Sequence, residues 1–320
     1  MRVLEVKNLN LGFQCEDEFR QALYDVSFSL DKGRMLAIVG ESGCGKTMSA
    51  MSILNLIPKN ARITGGEVIY ASENLLTKTQ RQMQNIRGGK IALIPQDPMT
   101  SLNPLYTVGD QLLEIIKIHQ GLVGKQAYDK ALDAFDMVQI PAAKSRLNNY
   151  PHEFSGGMKQ RAIIAMALAC NAQVLIADEP TTALDVTIQA QIMKLLQEIK
   201  QQNGTSILLI THDLALVREN ADDIAVMYAG RVVEQASNQE FFSKPSHPYS
   251  QALLKSIPSG FGEKLVTIQG QPPTLAQKID GCKFNPRCEH CMEICTNQSP
   301  QLKDLGGNHL CACFYTEPKF

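Results

Sequence analysis

The chain has 320 residues, 44% of them hydrophobic, which suffices for one large domain and a smaller one. Its 31 Lys and Arg balance 32 Asp and Glu, so no strong field gathers nucleic acid or acidic lipid. The start, Met1-Arg2-Val3-Leu4-Glu5, lacks the apolar stretch of a secretory signal, and the longest apolar run, the nine residues Ala162 to Cys170, is about half a bilayer span. The expectation is a soluble chain that meets a membrane only through a partner.

Short strands are expected first, at Leu4 to Leu9, Ala22 to Leu30, Met35 to Val39 and Glu67 to Tyr70. The third is apolar throughout, as in a strand buried on both faces, and it runs into Gly40-Glu-Ser42-Gly43-Cys-Gly45-Lys46-Thr47. That is the pattern G-x-x-x-x-G-K-[ST], in the strand-to-helix setting a phosphate loop needs. Its glycines (Gly40, Gly43, Gly45) let backbone N–H groups approach phosphate oxygens, and the following helix offers its positive end. Lys46 is expected on the β- and γ-phosphates of ATP and the Thr47 hydroxyl on Mg²⁺.

Further buried runs follow at Ile91 to Ile94, Val174 to Ala177 and Ser206 to Ile210. The stripe Ile188, Ile192, Leu195, Leu196, Ile199 predicts a helix facing a core. Between about 98 and 165 the alternation fails: Gln111–His119 and Lys125–Val138 read as helices with no strand between them, a helical insertion. Leu214–Asn220 reads as a helix, and Ala229-Gly230 as the turn of a hairpin.

Three strand ends carry polar side chains suited to hydrolysis. Asp178 closes an apolar strand, where a carboxylate calls for a cation, and fits a Mg²⁺ position through a coordinated water. Glu179 is the candidate general base that polarises the attacking water. His212, in Leu209-Ile-Thr-His-Asp, can contact the γ-phosphate, and Gln96, after Ile91–Pro95, can reach metal or water. Each has an ordinary alternative, a solvated turn or a hydrogen-bonded structural side chain, and their common order along the chain favours function.

Phe154-Ser155-Gly156-Gly157-Met158-Lys-Gln-Arg161 resembles the LSGGQ signature of the ATP-binding cassette (ABC) ATPases, placed about twenty residues before the Asp178 strand. The resemblance implies an α/β P-loop NTPase fold with a RecA-like core, an N-terminal antiparallel β subdomain, a helical insertion and a Cys-rich C-terminal extension. It implies a head-to-tail dimer in which Ser155, Gly156 and Gly157 meet the γ-phosphate held by the partner's glycine loop. It also sets Asp185, in Ala183-Leu184-Asp185, across that interface and Phe13 on the adenine, next to an insertion at Cys15–Gln21. Phe154 for Leu and Met158 for Gln depart from the pattern, and neither supplies the serine hydroxyl or the glycine amides.

Gln96-Asp-Pro-Met-Thr-Ser-Leu-Asn-Pro104 and His247-Pro-Tyr-Ser-Gln-Ala-Leu-Leu-Lys-Ser-Ile-Pro258 resemble the oligopeptide/dipeptide/nickel branch of bacterial ABC importers. Over essentially the whole chain, the likeness implies a nucleotide-binding domain at 1–242, with the helical subdomain at about 98–165, and an importer extension at 243–320. It implies ATP hydrolysis coupled to uptake of di- or oligopeptides at the cytoplasmic face of the inner membrane. The implied partners are a paralogous ATPase subunit, two permeases and an extracytoplasmic solute-binding protein, with no nucleic acid. Nickel and antimicrobial peptides stay open as cargo. A soluble cassette ATPase acting on nucleic acid or ribosomes is the other class, opposed by balanced charge, a single cassette and the lack of a coiled-coil insertion.

Of nine cysteines, Cys282, Cys288, Cys291, Cys295, Cys311 and Cys313 crowd the tail and read as metal ligands in a reducing compartment. Cys282-x₅-Cys288-x₆-Cys295-x₁₇-Cys313 resembles the C-terminal motif of the same importer branch, which implies a [4Fe-4S] cluster on those four. Zn²⁺ is the alternative, with Cys291 pairing Cys288 or Cys311 replacing Cys313, as is a set of reduced thiols without metal.

Overall fold

Alternating apolar residues make the N-terminal segment an antiparallel sheet. Leu4, Val6, Leu9 and Leu11 of β1 (Arg2–Cys15) face Leu23, Val26, Phe28 and Leu30 of β2 (Glu18–Asp31), all buried. Asn8, at φ 45°, marks the bulge between Val6 and Leu9 that keeps both apolar pairs on one face. β4 (Ala61–Tyr70) and β5 (Glu73–Asn74) complete the order β2-β1-β4-β5.

The protein, a computed structural model describing residues 1–16, 18–182, 184–257 and 267–315, divides into two compact units. One is Met1–Thr77 with Ile210–Phe320; the other is Lys78–Leu209.

In the first unit β3 (Met35–Val39) is buried at every residue and pairs in parallel with β9 (Asp223–Tyr228). Ala229 and Gly230, both at positive φ, turn β9 into β10 (Arg231–Ser237), the hairpin expected there. The tail extends the same sheet: β12 (Leu310–Cys311) pairs with β10, and β11 (Lys303–Asp304) with β12. One core joins Ala37, Val39, Val226 and Tyr228 to Phe241, Tyr249 and Phe284 from downstream segments. Those segments include α9 (Leu214–Asn220), α10 (Asn238–Ser243) and α11 (Pro248–Lys255), and the short α12 (Glu293–Asn297) follows in the tail. Pro248 opens α11 where its missing N–H costs nothing, and His247 Nδ1 accepts from the Tyr249 amide at 3.0 Å.

The second unit pairs β6 (Ile91–Ile94) in parallel with β7 (Val174–Asp178). β8 (Ser206–Thr211), also buried throughout, leads from its last residues into the first unit. After the short α2 (Gln80–Ile86) and α3 (Pro98–Ser101), α4 (Val108–Gln120), α5 (Gly124–Met137), α6 (Ala143–Arg146) and α7 (Gly156–Ala169) follow without a strand. Nearly every side chain of α7 from Lys159 onward is buried, as an all-round apolar helix requires. Arg161 is accommodated there because its guanidinium donates to the Val138 carbonyl and Gln191 Oε1, each at 2.6 Å. α8 (Val186–Asn203) buries the predicted Ile192, Leu195, Leu196 and Ile199, while Ile188 stays half-buried.

Candidate functional site

β3 delivers the chain from a fully buried strand into Gly40–Thr47. A Cβ on Gly40, at φ 154°, would lie 2.2 Å from the Met227 carbonyl oxygen, so the loop can leave the sheet only through glycine. Gly45 closes the loop at φ 105° and precedes α1 (Lys46–Ile53), whose first N–H groups receive no side-chain cap. Uncapped amides at a helix start bind anions. Lys46 is 5% exposed, and its ammonium donates to the Gly40 carbonyl at 2.8 Å and the Glu41 carbonyl at 3.0 Å. The charge is thus held inside the loop, where phosphate oxygens can exchange for those carbonyls. Ser42 and Gly43 are exposed at the loop tip, and Thr47 is half-buried.

In the second unit the Asp178 carboxylate ends β7 at 1% exposure. Glu179 follows at φ 46°, a left-handed backbone that costs a residue with a Cβ about 1–3 kcal/mol and recurs at functional sites. Its Oε2 accepts from Gln96 Nε2 at 3.0 Å and from the Thr182 hydroxyl at 2.9 Å. Two residues singled out in the sequence therefore meet. Thr182 was not singled out, although its place in Pro180-Thr-Thr, one turn after Glu179, offered the signal. Asp97 caps α3 through the Met99 amide at 2.8 Å and so fixes the turn that presents Gln96.

Ser155 caps α7, its Oγ accepting from the Met158 amide at 3.3 Å, and Ser155 and Gly156 are exposed. A Cβ on Gly157 would come within 3.2 Å of Ile188 Cγ2. Phe154 is buried and Met158 half-buried, so neither departure from the signature stands at the exposed helix start. Asp185 is likewise exposed and caps α8 through the Ile188 amide at 3.0 Å; its neighbour Ala183 lies outside the described residues, as does Pro258.

His212 is exposed at the end of β8. Phe13 is half-buried in β1 opposite Arg20 and Ala61. Beside it, at the insertion of Cys15–Gln21, β1 and β2 stay paired, Gly12 with Gln21 and Cys15 with Glu18.

Cys282, Cys288, Cys295 and Cys313 line one small cavity with His247, Phe284 and His290. Cys291 is exposed and Cys311 is buried in β12; neither lines it. Burial pushes the Cys282 and Cys288 thiols up to about 11, and the nearby Cys295 adds to the effect on both. The metal site expected here is not drawn together, however: among the described residues no three His, Cys, Asp or Glu side chains converge as ligands of one ion. The all-sulfur donor set suits zinc or an iron–sulfur cluster, and the spacing matches neither the C-x₂-C pairs of zinc ribbons nor the ferredoxin patterns. Among the described residues no helix is long and apolar enough to cross a membrane.

The family profile described as "ABC transporter" matches residues 23–182, half of the chain, and "Oligopeptide/dipeptide transporter, C-terminal region" matches residues 233–295. A probable peptide ABC transporter ATP-binding protein of Sinorhizobium fredii is 49% identical, covering 98% of this chain and 94% of its own. The oligopeptide transport ATP-binding protein of Salmonella typhimurium is 46% identical (98% and 93% covered), and the dipeptide transport ATP-binding protein of Escherichia coli 44% (98% and 97%). Among solved structures, the dimeric cassette MJ0796 in a post-hydrolysis state with ADP and Pi aligns at TM-score 0.66 and 28% identity, over 73% of this chain and 98% of its own. The chain is an ABC ATPase, of the class that couples ATP hydrolysis to transport. Within that class it belongs to the ATP-binding proteins of the oligopeptide/dipeptide transporters.

Proposed function

We propose that this chain powers peptide uptake by closing head to tail on ATP with a related ATPase subunit, against two permeases served by an external binding protein. On this reading residues 1–242 bind nucleotide, the helices at about 98–165 meet the permeases, and 243–320 is an importer extension. The assembly sits peripherally on the cytoplasmic face of the inner membrane. The observation that carries the hydrolytic reading is the bond from Gln96 to Glu179, which aims the candidate base at the residue expected to sense metal or water. Met99, Leu105 and Tyr106, exposed just after Gln96, give an apolar surface for a permease element.

The steps follow from the residues. Lys46 and the loop amides bind the triphosphate and spread its charge. Thr47, Gln96 and Asp178 each offer the oxygen donor that Mg²⁺ prefers and would hold it, and when bound it would neutralise phosphate charge. Glu179 accepts a proton from the attacking water, His212 orients the γ-phosphate, and Phe13 stacks on adenine. Ser155, Gly156, Gly157 and Asp185 act on the nucleotide of the partner. Binding then closes the dimer and hydrolysis reopens it, a rigid-body change passed to the permeases.

In the tail, Cys282, Cys288, Cys295 and Cys313 hold a [4Fe-4S] cluster, with Zn²⁺ as the competing occupant. The cavity shared by these four thiols, and by neither Cys291 nor Cys311, supports that choice. Uptake of labelled di- and oligopeptides by a deletion strain, restored by the gene and not by its Lys46→Ala form, tests the transport reading. Unchanged uptake in the deletion strain would refute it.

A further inference from the structure

Glu41 is the first variable residue of the phosphate loop, and the tail holds it at both ends. Its amide donates to the Tyr249 hydroxyl at 3.0 Å. Its carboxylate takes both arms of one guanidinium: Arg287 Nη1 donates to Oε2 at 2.7 Å and Nη2 to Oε1 at 3.0 Å. The pair is shielded, the Arg287 side chain being 5% exposed.

Arg287 is itself fixed on every side. Its Nε donates to the Gln269 carbonyl at 2.8 Å, and its Nη1 also reaches the Tyr228 hydroxyl at 3.3 Å. The guanidinium lies 5.7 Å from the Tyr228 ring centroid and 6.0 Å from that of Phe284. Phe284 packs edge-on against Tyr228, with centroids 5.1 Å apart, and at a tilt against Tyr249 at 5.3 Å. The turn that carries Arg287 is closed by thiol residues: the Cys282 amide donates to the Cys295 carbonyl at 2.8 Å, and Asn285 Nδ2 donates to that carbonyl at 3.3 Å.

We infer that Arg287 and Tyr249 are positioning residues of the nucleotide site: they clamp Glu41, hold the phosphate loop in its anion-binding shape, and make ATP affinity depend on the integrity of the cysteine tail. Fork-to-fork geometry fixes a carboxylate in orientation as well as position, which a single ammonium does not. The loop then presents its amides without reordering when the triphosphate arrives, and ordering costs that are not met at binding appear as affinity. The clamp also neutralises a carboxylate that would otherwise stand beside the anionic ligand. The inference rests on the phosphate-loop reading given above.

The test is binding of the β,γ-imido analogue of ATP with Mg²⁺ to the full chain, by calorimetry, with hydrogen exchange at residues 40–47. Arg287→Ala is expected to weaken binding about tenfold, Arg287→Lys by less, and Tyr249→Phe by about threefold, each with faster exchange at the Glu41 amide. Glu41→Gln separates the two roles of Arg287. Positioning predicts weaker binding, and little further loss when Arg287→Ala is added. Tighter binding by Glu41→Gln would show that charge alone matters and overturn the clamp. Wild-type affinity and exchange in both Arg287→Ala and Tyr249→Phe would overturn it as well. Should Arg287→Ala unfold the tail, Tyr249→Phe and Glu41→Gln decide. Failure of the wild-type chain to bind the analogue would instead remove the nucleotide-site reading, and the clamp with it.

Discussion

Gln96 Nε2 donates to the Glu179 carboxylate over 3.0 Å, although 83 residues separate them in the chain. β6 and β7 pair in register from Ile91 with Val174 to Ile94 with Ala177, so the residues just beyond both strands emerge at one end. Parallel pairing therefore sets this contact, and carboxyl ends of parallel strands are where α/β folds place their chemistry.

Glu179→Gln is expected to retain ATP binding while lowering turnover by about a hundredfold or more, the share carried by a positioned base. The same chain should accumulate as an ATP-bound dimer in gel filtration. Near-normal hydrolysis would remove Glu179 from the role of base.

Gly40→Ala is expected to destabilise the fold by about 1–3 kcal/mol and to abolish tight nucleotide binding. A methyl group there meets the Met227 carbonyl at 2.2 Å, a backbone atom that cannot rotate away. Thermal unfolding with and without ATP measures both effects.

The phosphate loop was legible because its glycines, lysine and threonine act within eight adjacent positions after an apolar strand. So were the buried strands and the four thiols that share a cavity. The N-terminal strands were read too short. Past Leu11 the alternation that marks β1 gives way to a buried Gly12 and then to Phe13, Gln14 and Cys15, which are held by pairing with β2 rather than by burial. The Arg287–Glu41 pair was invisible because 246 residues separate its members, and only the folded tail brings them together. Cys311 looked equivalent to Cys313 by spacing, but pairing of β12 with β10 buries it elsewhere.

Stability should show a pH window set by the tail. His309 Nε2 bonds Glu234 Oε1 at 2.7 Å, with the carboxylate fully buried. That bond holds His309 above its ordinary value of 6.5, so its contribution is complete below 6.5 and is lost as pH rises through the folded value. Burial works against ionised Glu234, yet the bonds from His309 and from the Ser246 and His247 amides outweigh it and keep the carboxyl below 4.5. Its contribution is present above 4.5 and is lost as pH falls through that lower value. The pair is at full strength between these limits. His309→Gln should lower the melting temperature there by about 5 °C or more and flatten the alkaline decline.

Anaerobic purification should yield a chain with broad visible absorbance and about four irons, as a cluster held by four thiolates requires. Cys282→Ser and Cys295→Ser should lose both signals, and Cys291→Ser neither. One equivalent of zinc, bound without colour, would replace the cluster assignment.

The sandwich of nucleotide between two cassettes is tested most directly by a structure of the Glu179→Gln chain, with its partner ATPase, in ATP and Mg²⁺. The account predicts the Ser155 hydroxyl and the Gly157 amide within hydrogen-bond reach of the γ-phosphate held by the opposite subunit's loop. ATP bound at Lys46 with Ser155 facing bulk solvent in every assembly would contradict it.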